Sequence, residues 1–485
     1  MKINKVRFIE PGNLPYRKSF KNLYTYDKYI RTPSIGLLTL ATIVKQHIND
    51  TFMYSESIST IKWSDILDSD IVFIGIFTFN ANRGYELAQY IHQNSKALVV
   101  LGGLHASMNY PEACSYCDYV LLGEGDESIL EFINAVNKGE NISFPGVAYQ
   151  KDGKLVTTGN RQPPYNIDVI PNRDLLYRYR KMAGHNTIWP QVHASRGCPH
   201  NCDYCALVRH FGRTVRTRSP ENVVEDIRNT IDFHDQNHRR IAKILWITDD
   251  NFFADREWAV SVLQAIINSG IKYKFTIQAR YEVGYDDEML ELLKKAGFFE
   301  IAMGIEFLED EAFESYHKKS TYHDIVRSVE KIQKHGLRVR GLFIVGADNH
   351  AKGVGNRLAN FVIQHNICGV LIQSMYFVPG TPVYETHKDK LIHTDWSKYN
   401  GNVVHYPEKI SSYDLQKEII LASRTIYSFK RFIKAIFFQR GLDRILFVGE
   451  CFWQRSVRAD LKRELPFLKQ VPVELHLNDA KEARQ

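Results

Sequence analysis

Residues 196–205 read RGCPHNCDYC, which places Cys198, Cys202 and Cys205 in the spacing C-x3-C-x2-C. Three thiols cannot all pair as disulfides, and a tetrahedral zinc site ordinarily takes four ligands. Iron–sulfur clusters are held by cysteine thiolates. Three cysteines around a [4Fe–4S] cube would leave one iron open to a further ligand. The competing reading is a zinc knuckle completed by His200 or His210, although zinc sites favour paired C-x2-C elements.

The sequence around this loop alternates short apolar runs with amphipathic helical patterns. From about residue 190 the candidate strands are WPQVHASRG, AKILWITDDNF, KFTIQAR, EIAMGIE, RVRGLFIVGAD and GVLIQSMYFVPG. Between them lie helical patterns such as 286–297 and 322–336, with apolar residues three and four apart and Gly297 and Gly336 at the C-cap positions. Six β/α units in succession predict a partial (β/α)6 barrel of the TIM type. Active sites of such barrels sit at the carboxyl ends of the strands, and the cysteine loop follows the first strand on that face.

Upstream, residues 1–150 alternate in the same way, with strands in 70–80 and 97–103 and helices in 35–48 and 82–94. That pattern predicts a separate Rossmann-like α/β domain with a parallel sheet. Its strand ends carry TFN (78–80), GGLHA (102–106) and GEGDES (123–128), where ligands of such sheets bind. The Gly- and Pro-rich stretch 151–187 reads as a linker. The core follows over 188–390, and 391–485 forms a mostly helical C-terminal domain, with a helix over 411–439 and Ser411 or Ser412 as its N-cap.

Composition narrows the class. The 485 residues carry 62 Lys+Arg against 55 Asp+Glu, a net +7 that is mild for this length and gives no argument for nucleic acid. The cysteines number seven, and their pattern fits a reducing compartment. With no apolar signal at the N-terminus and no spanning run, a cytoplasmic protein without a transmembrane segment is expected. Residues 424–447 join aromatic residues to Arg424, Lys430, Arg431, Lys434, Arg440 and Arg444. Such a segment either packs on a barrel with a solvated basic face, or lies on a membrane or a lipid substrate.

The motif C-x3-C-x-aromatic-C, with Tyr204 before the last cysteine and at the first strand of a β/α barrel, resembles the radical S-adenosylmethionine (SAM) superfamily. The resemblance implies a [4Fe–4S] cluster on Cys198, Cys202 and Cys205 whose open iron chelates SAM. One electron then yields a 5′-deoxyadenosyl radical. It further implies SAM contacts from Asp249, Asp250 and Asn251 to the methionine amino group, from Gln278, Arg280 and Glu306 at later strand ends, and from backbone around Ile344 and Val378 near adenine. Phe307 departs from the family, which often has Ser after that Glu. The paired domains resemble the cobalamin-binding group of the superfamily, which implies a corrin held by the loops around Thr78, Gly102, Gly103, His105, Gly123, Glu124 and Gly125. The D-x-H-x-x-G motif that supplies a histidine to cobalt is absent, as in several members of the group.

The implied function is cobalamin-dependent methylation of an unactivated carbon. The alternatives are non-methylating radical chemistry such as cyclisation, ring rearrangement or C–C coupling, possible also on a lipid, and a non-catalytic zinc-binding scaffold. The implied partners are a small-molecule, lipid or peptide substrate and a one-electron reductant such as flavodoxin or ferredoxin. No catalytic acid or base is identified; Tyr281, Glu282 and Tyr376 merely lie near strand ends. Cys114 and Cys117 read as packing residues.

Overall fold

The structure is a computed structural model that describes residues 2–12, 31–183, 188–235 and 243–471. Residues 184–187 of the expected linker and 472–485 of the expected tail lie outside it. The N-terminal sheet contains β1 (Lys5–Glu10), β2 (Asp50–Ser55), β3 (Ile71–Gly75), β4 (Leu98–Gly102), β5 (Tyr119–Leu121), β6 (Val147–Lys151) and β7 (Lys154–Thr157). Their order is β2-β1-β3-β4-β5-β6-β7. The first five run parallel, and β6 and β7 add an antiparallel edge.

Near-continuous apolar runs in β3 and β4 follow from burial on both faces. Side chains alternate between two cores. Phe73 and Val100 join the helices Ile35–Lys45 and Ser128–Lys138, whereas Val72, Ile74, Val99 and Leu101 join the helix Ala81–Asn94. The β6–β7 hairpin turns at Asp152 and Gly153, with φ of 51° and 71°, the doubly left-handed turn that matches strand twist. The opening residues of the stretch read as linker are therefore a sheet edge.

The second sheet is parallel throughout. It contains β8 (Gln191–Val192), β11 (Ile244–Ile247), β12 (Lys274–Ala279), β13 (Phe298–Glu306), β14 (Arg338–Val345) and β15 (Gly369–Ser374), in the order β15-β14-β13-β12-β11-β8. A small antiparallel ribbon, β9 (Ser195–Arg196) with β10 (Arg216–Thr217), brackets the cysteine loop. Side-chain caps start the outer helices where the sequence places them. Asp286 accepts from Met289 N at 3.0 Å and Thr321 Oγ1 from Asp324 N at 3.1 Å.

The helical tail is anchored through charge. Arg340 of β14 bridges Glu300 of β13 (2.7 Å) and Glu450 of the long helix Gly441–Leu468. The expected single helix over 411–439 is two helices, Ser412–Ile426 and Phe429–Phe438. Ser411 is the N-cap of the first, accepting from Asp414 N at 3.1 Å. The break falls at Tyr427, which is buried; its hydroxyl accepts from Val370 N at 3.0 Å and donates to Glu450 at 3.3 Å. Holding that hydroxyl on β15 turns the chain. Among the described residues, no helix is long and apolar enough to cross a membrane.

Candidate active site

The cysteine loop is launched by a backbone conformation that requires glycine. Gly197 has φ of 91°, and a Cβ there would stand 2.3 Å from the Thr214 carbonyl oxygen. The loop is then held from outside. Cys198 N donates to Gly212 O (3.3 Å), Asp203 N donates to Tyr316 O (3.2 Å), and Asp203 pairs with His317 at 2.7 Å. Cys198, Cys202 and Cys205 are all free of disulfides. Burial pushes the Cys198 thiol up, with Arg280 opposing, and pushes Cys205 up to about 12. Thiols so desolvated stay neutral until something replaces their protons, which is what metal coordination does. Three unpaired thiols in one short loop suit three corners of a cubane. Among the described residues, no three His, Cys, Asp or Glu side chains are grouped to hold a single metal ion.

The strand ends surround this loop. After β11, the two adjacent carboxylates have different surroundings. Asp249 is buried and accepts from Ala194 N (2.7 Å) and Ser195 Oγ (2.6 Å), so it fastens the strand that leads into the loop. Asp250 has a buried Oδ2 with no hydrogen-bond partner. Burial, and then the charge of Asp249, push its pKa up to about 7. It is the carboxylate with unspent capacity. Asn251 is buried beside it, at the start of a short 3-10 turn.

Gln278 lies half-buried near the end of β12. Arg280 donates to Glu282 at 3.1 Å and to Lys319 O at 3.0 Å. Glu306 ends β13 with φ of 67°, a left-handed conformation that a non-glycine residue adopts at a cost and that is met at functional sites. Its carboxylate lies 3.5 Å from the buried Lys318 Nζ, which donates to Gly304 O at 2.6 Å. Burial pulls the Lys318 pKa down and the charge of Glu306 opposes it. Lys318 has no sequence motif around it and joins the site only through the fold. Tyr204 packs edge-on against Phe307 and Tyr316, with centroids 6.0 and 6.4 Å away. Phe307, the departure noted in the sequence, is thus a packing support for the cysteine loop. Ile344 is half-buried one residue before the end of β14, and the Val378 carbonyl accepts from both the amide and the hydroxyl of Thr381.

The carboxyl end of the N-terminal sheet meets this same face. Arg196, two residues before Cys198, pairs with Glu124 (2.6 Å) and Asp126 (2.8 Å), and Arg216 pairs with Glu124 at 2.6 Å. Glu124, expected among the cofactor contacts, pairs with two arginines of the ribbon that brackets the cysteine loop. A second contact joins the helix Leu104–Met108 to the loop after β15, because a Cβ on Gly380 would stand 2.9 Å from Met108 Cε.

His105 is fully buried; its Nδ1 lies 3.2 Å from Thr78 Oγ1, and its ring meets Trp396 edge-on at 4.9 Å. Its Nε2 has no hydrogen-bond partner, and burial pulls its pKa down to about 3. Gly103, with φ of 89°, brings the chain so close to β3 that a Cβ would stand 2.8 Å from Ile76 O. Gly102 and Gly123 have room, Gly123 with nothing within 4 Å of a built Cβ, whereas one on Gly125 would touch Leu40 at 3.0 Å. At these strand ends Phe77 is exposed and the imidazole lies buried under Trp396.

The comparisons with known proteins agree with this arrangement. Residues 192–351 match the radical SAM superfamily. The chain is similar to bacteriochlorophyllide d C-12(1)-methyltransferase of Chlorobaculum tepidum, with 24% identity over 81% of this chain and 82% of that protein. Among solved structures, the methyltransferase TsrM of Kitasatospora setae, described with cobalamin and a [4Fe-4S] cluster bound, superposes with a TM-score of 0.67 at 13% identity, covering 94% of this chain and all (100%) of that one. The cobalamin-dependent radical enzyme OxsB, described with aqua-cobalamin and SAM bound, gives 0.72 at 12% identity over 100% of this chain and 75% of that one. Residues 192–351 of this chain thus carry a radical SAM domain.

Proposed function

We propose that the chain is a cobalamin-dependent methyltransferase that acts on an unactivated carbon of a small-molecule, lipid or peptide substrate. The observation that carries the reading is the seam: the carboxyl ends of two parallel sheets face each other, with the cysteine loop fixed between them by Arg196 and Glu124. The names and descriptions of the relatives support methyl transfer and both cofactors.

On this reading Cys198, Cys202 and Cys205 hold a [4Fe–4S] cluster, and Asp250 accepts from the ammonium of SAM. Glu306 and Lys318 offer an acceptor and a donor at the next strand end but one. The backbone at Ile344 and Val378 borders the adenine. Thr78, Gly102, Gly103, Gly123 and Gly125 shape the corrin side, while His105 stays a buried support under Trp396. When bound, the cluster supplies the electron that splits SAM and the cobalamin carries the methyl group. An external one-electron donor, flavodoxin or ferredoxin in a reducing cytoplasm, completes the set.

The test is anaerobic reconstitution with iron, sulfide and hydroxocobalamin, followed by metal assay and turnover with candidate substrates. Bound iron and cobalt, with S-adenosylhomocysteine formed alongside 5′-deoxyadenosine, is the expected result. Iron without cobalt, and 5′-deoxyadenosine alone, would replace methyl transfer with another radical reaction.

A further inference from the structure

The helix Phe429–Phe438 is apolar on its outward side. Phe429, Phe437 and Phe438 are 77%, 73% and 78% exposed, and Ile433 is exposed between them. Phe429, Ile433 and Phe437 recur every four residues, so they form one stripe along the helix. The opposite side is the packed one: Ala435 is buried and Phe432 meets Phe452 of the long tail helix at 6.0 Å. Ile445 and Phe452 of that tail helix extend the exposed apolar surface. Contiguous apolar surface of this kind marks an interaction site on a soluble protein.

Cations flank the stripe. Lys430, Lys434, Arg440 and Arg444 are exposed, and among the described residues none has a carboxylate partner. The one carboxylate between Arg424 and Val448 is Asp443, and Arg338 holds it at 2.6 Å. The patch is therefore apolar in its middle and uncompensated in positive charge at its sides. A second copy of this chain is a poor occupant, because a two-fold contact would set these cations against each other. A short helix lying flat, with phenylalanines on one side and lysines beside them, matches an anionic lipid surface.

We propose that this patch docks the enzyme on anionic membranes. Its position in the fold gives the docking a direction. Tyr427, just before the helix, is held on Val370 near the start of β15, and Asp443, just after it, is held on Arg338 at the start of β14. The patch thus lies at the amino-terminal end of the barrel strands, and the cysteine loop lies at the other. The contact tethers the enzyme while leaving the seam between the two sheets open to solvent.

Flotation of the full-length protein with phosphatidylcholine vesicles, with and without phosphatidylglycerol, tests this. Binding is expected to the anionic vesicles and to weaken as salt rises. Phe437→Ser with Phe438→Ser should weaken it at least about tenfold per side chain. Lys430→Gln with Lys434→Gln should weaken it about fivefold per lysine on anionic vesicles only. All four residues lie away from the cysteine loop, so unchanged melting temperature and unchanged SAM cleavage in solution should accompany the loss. No binding to anionic vesicles, or binding indifferent to phosphatidylglycerol and to the lysine changes, would overturn the proposal. So would vesicle-free dimerisation abolished by the phenylalanine changes, which would assign the patch to a second copy.

Discussion

The two sheets present the same end to the same seam but spend their polar groups differently. At the barrel end, three thiols form no disulfide and the buried Oδ2 of Asp250 has no hydrogen-bond partner. At the N-terminal end, Glu124 and Asp126 pair with Arg196 and Arg216, and His105 is closed under Trp396 with its Nε2 unpartnered. Unspent capacity at a strand end is what a ligand needs; spent capacity is what a rigid wall needs. On the proposed reading the barrel end binds by coordination and charge, the N-terminal end by shape and backbone.

The largest expected effect separates the two ends outright. Replacing Cys198, Cys202 or Cys205 singly with Ala should abolish retained iron and SAM cleavage, read by iron assay and 5′-deoxyadenosine. On the proposed reading cobalt retention should survive, since none of these three thiols lies in the N-terminal domain. Loss of cobalt in the same variants would mean that the two ends are one site.

The wall comes next. Glu124→Gln leaves Arg196 and Arg216 buried with a deficit of negative charge, and breaking a buried pair from one side costs about 3–5 kcal/mol. Denaturant unfolding should show a loss of that order, and iron should be retained less well because Arg196 leads directly into the loop. A stable variant with full iron content would mean that Glu124 is not structural and is available to a ligand after all.

Asp250→Asn should be smaller and of another kind. The carboxyl sits near pH neutrality at about 7 because burial and Asp249 disfavour its charge. An isosteric amide should therefore leave stability nearly unchanged, while the charged acceptor for an ammonium is lost. One charge-assisted hydrogen bond corresponds to about a tenfold rise in KM for SAM. Asp249→Asn should do the reverse, destabilising through Ala194 and Ser195 with less effect on KM.

That pair of neighbours also shows what the sequence could and could not reveal. The alternation of strands and helices, the six-stranded parallel sheet and the cysteine loop were all legible, because periodicity and spacing are local properties. Asp249 and Asp250 are equally acidic on paper; only the direction in which each leaves β11 decides that one bonds to β9 and the other does not. Glu124 with Arg196 was illegible because the pair joins segments far apart in the chain, and Glu306 with Lys318 because the chain turns back on itself between them. The break at Tyr427 was hidden because the helical pattern runs on through it, and its cause is a hydroxyl held on β15.

The least expected effect concerns the wall again, through pH. His105 has its folded pKa at about 3 against an ordinary 6.5, caused by burial beside Thr78, Tyr85 and Trp396. A depressed pKa means that the unfolded chain binds the proton more readily. The neutral imidazole therefore contributes its full stability above about pH 6.5, and that contribution falls as pH drops toward 3. His193 and His210 are lowered in the same way, to about 3 and about 4, while the raised Asp250 acts with the opposite sign, so the effect of His105 is read as the difference between variant and parent. His105→Gln keeps a donor for Thr78 and removes one titrating group. Unfolding free energy measured from pH 7 to pH 5 should fall less steeply in the variant than in the parent. An unchanged slope would mean that His105 meets solvent or a ligand in the folded protein, and that the N-terminal end is less of a wall than its hydrogen bonds make it.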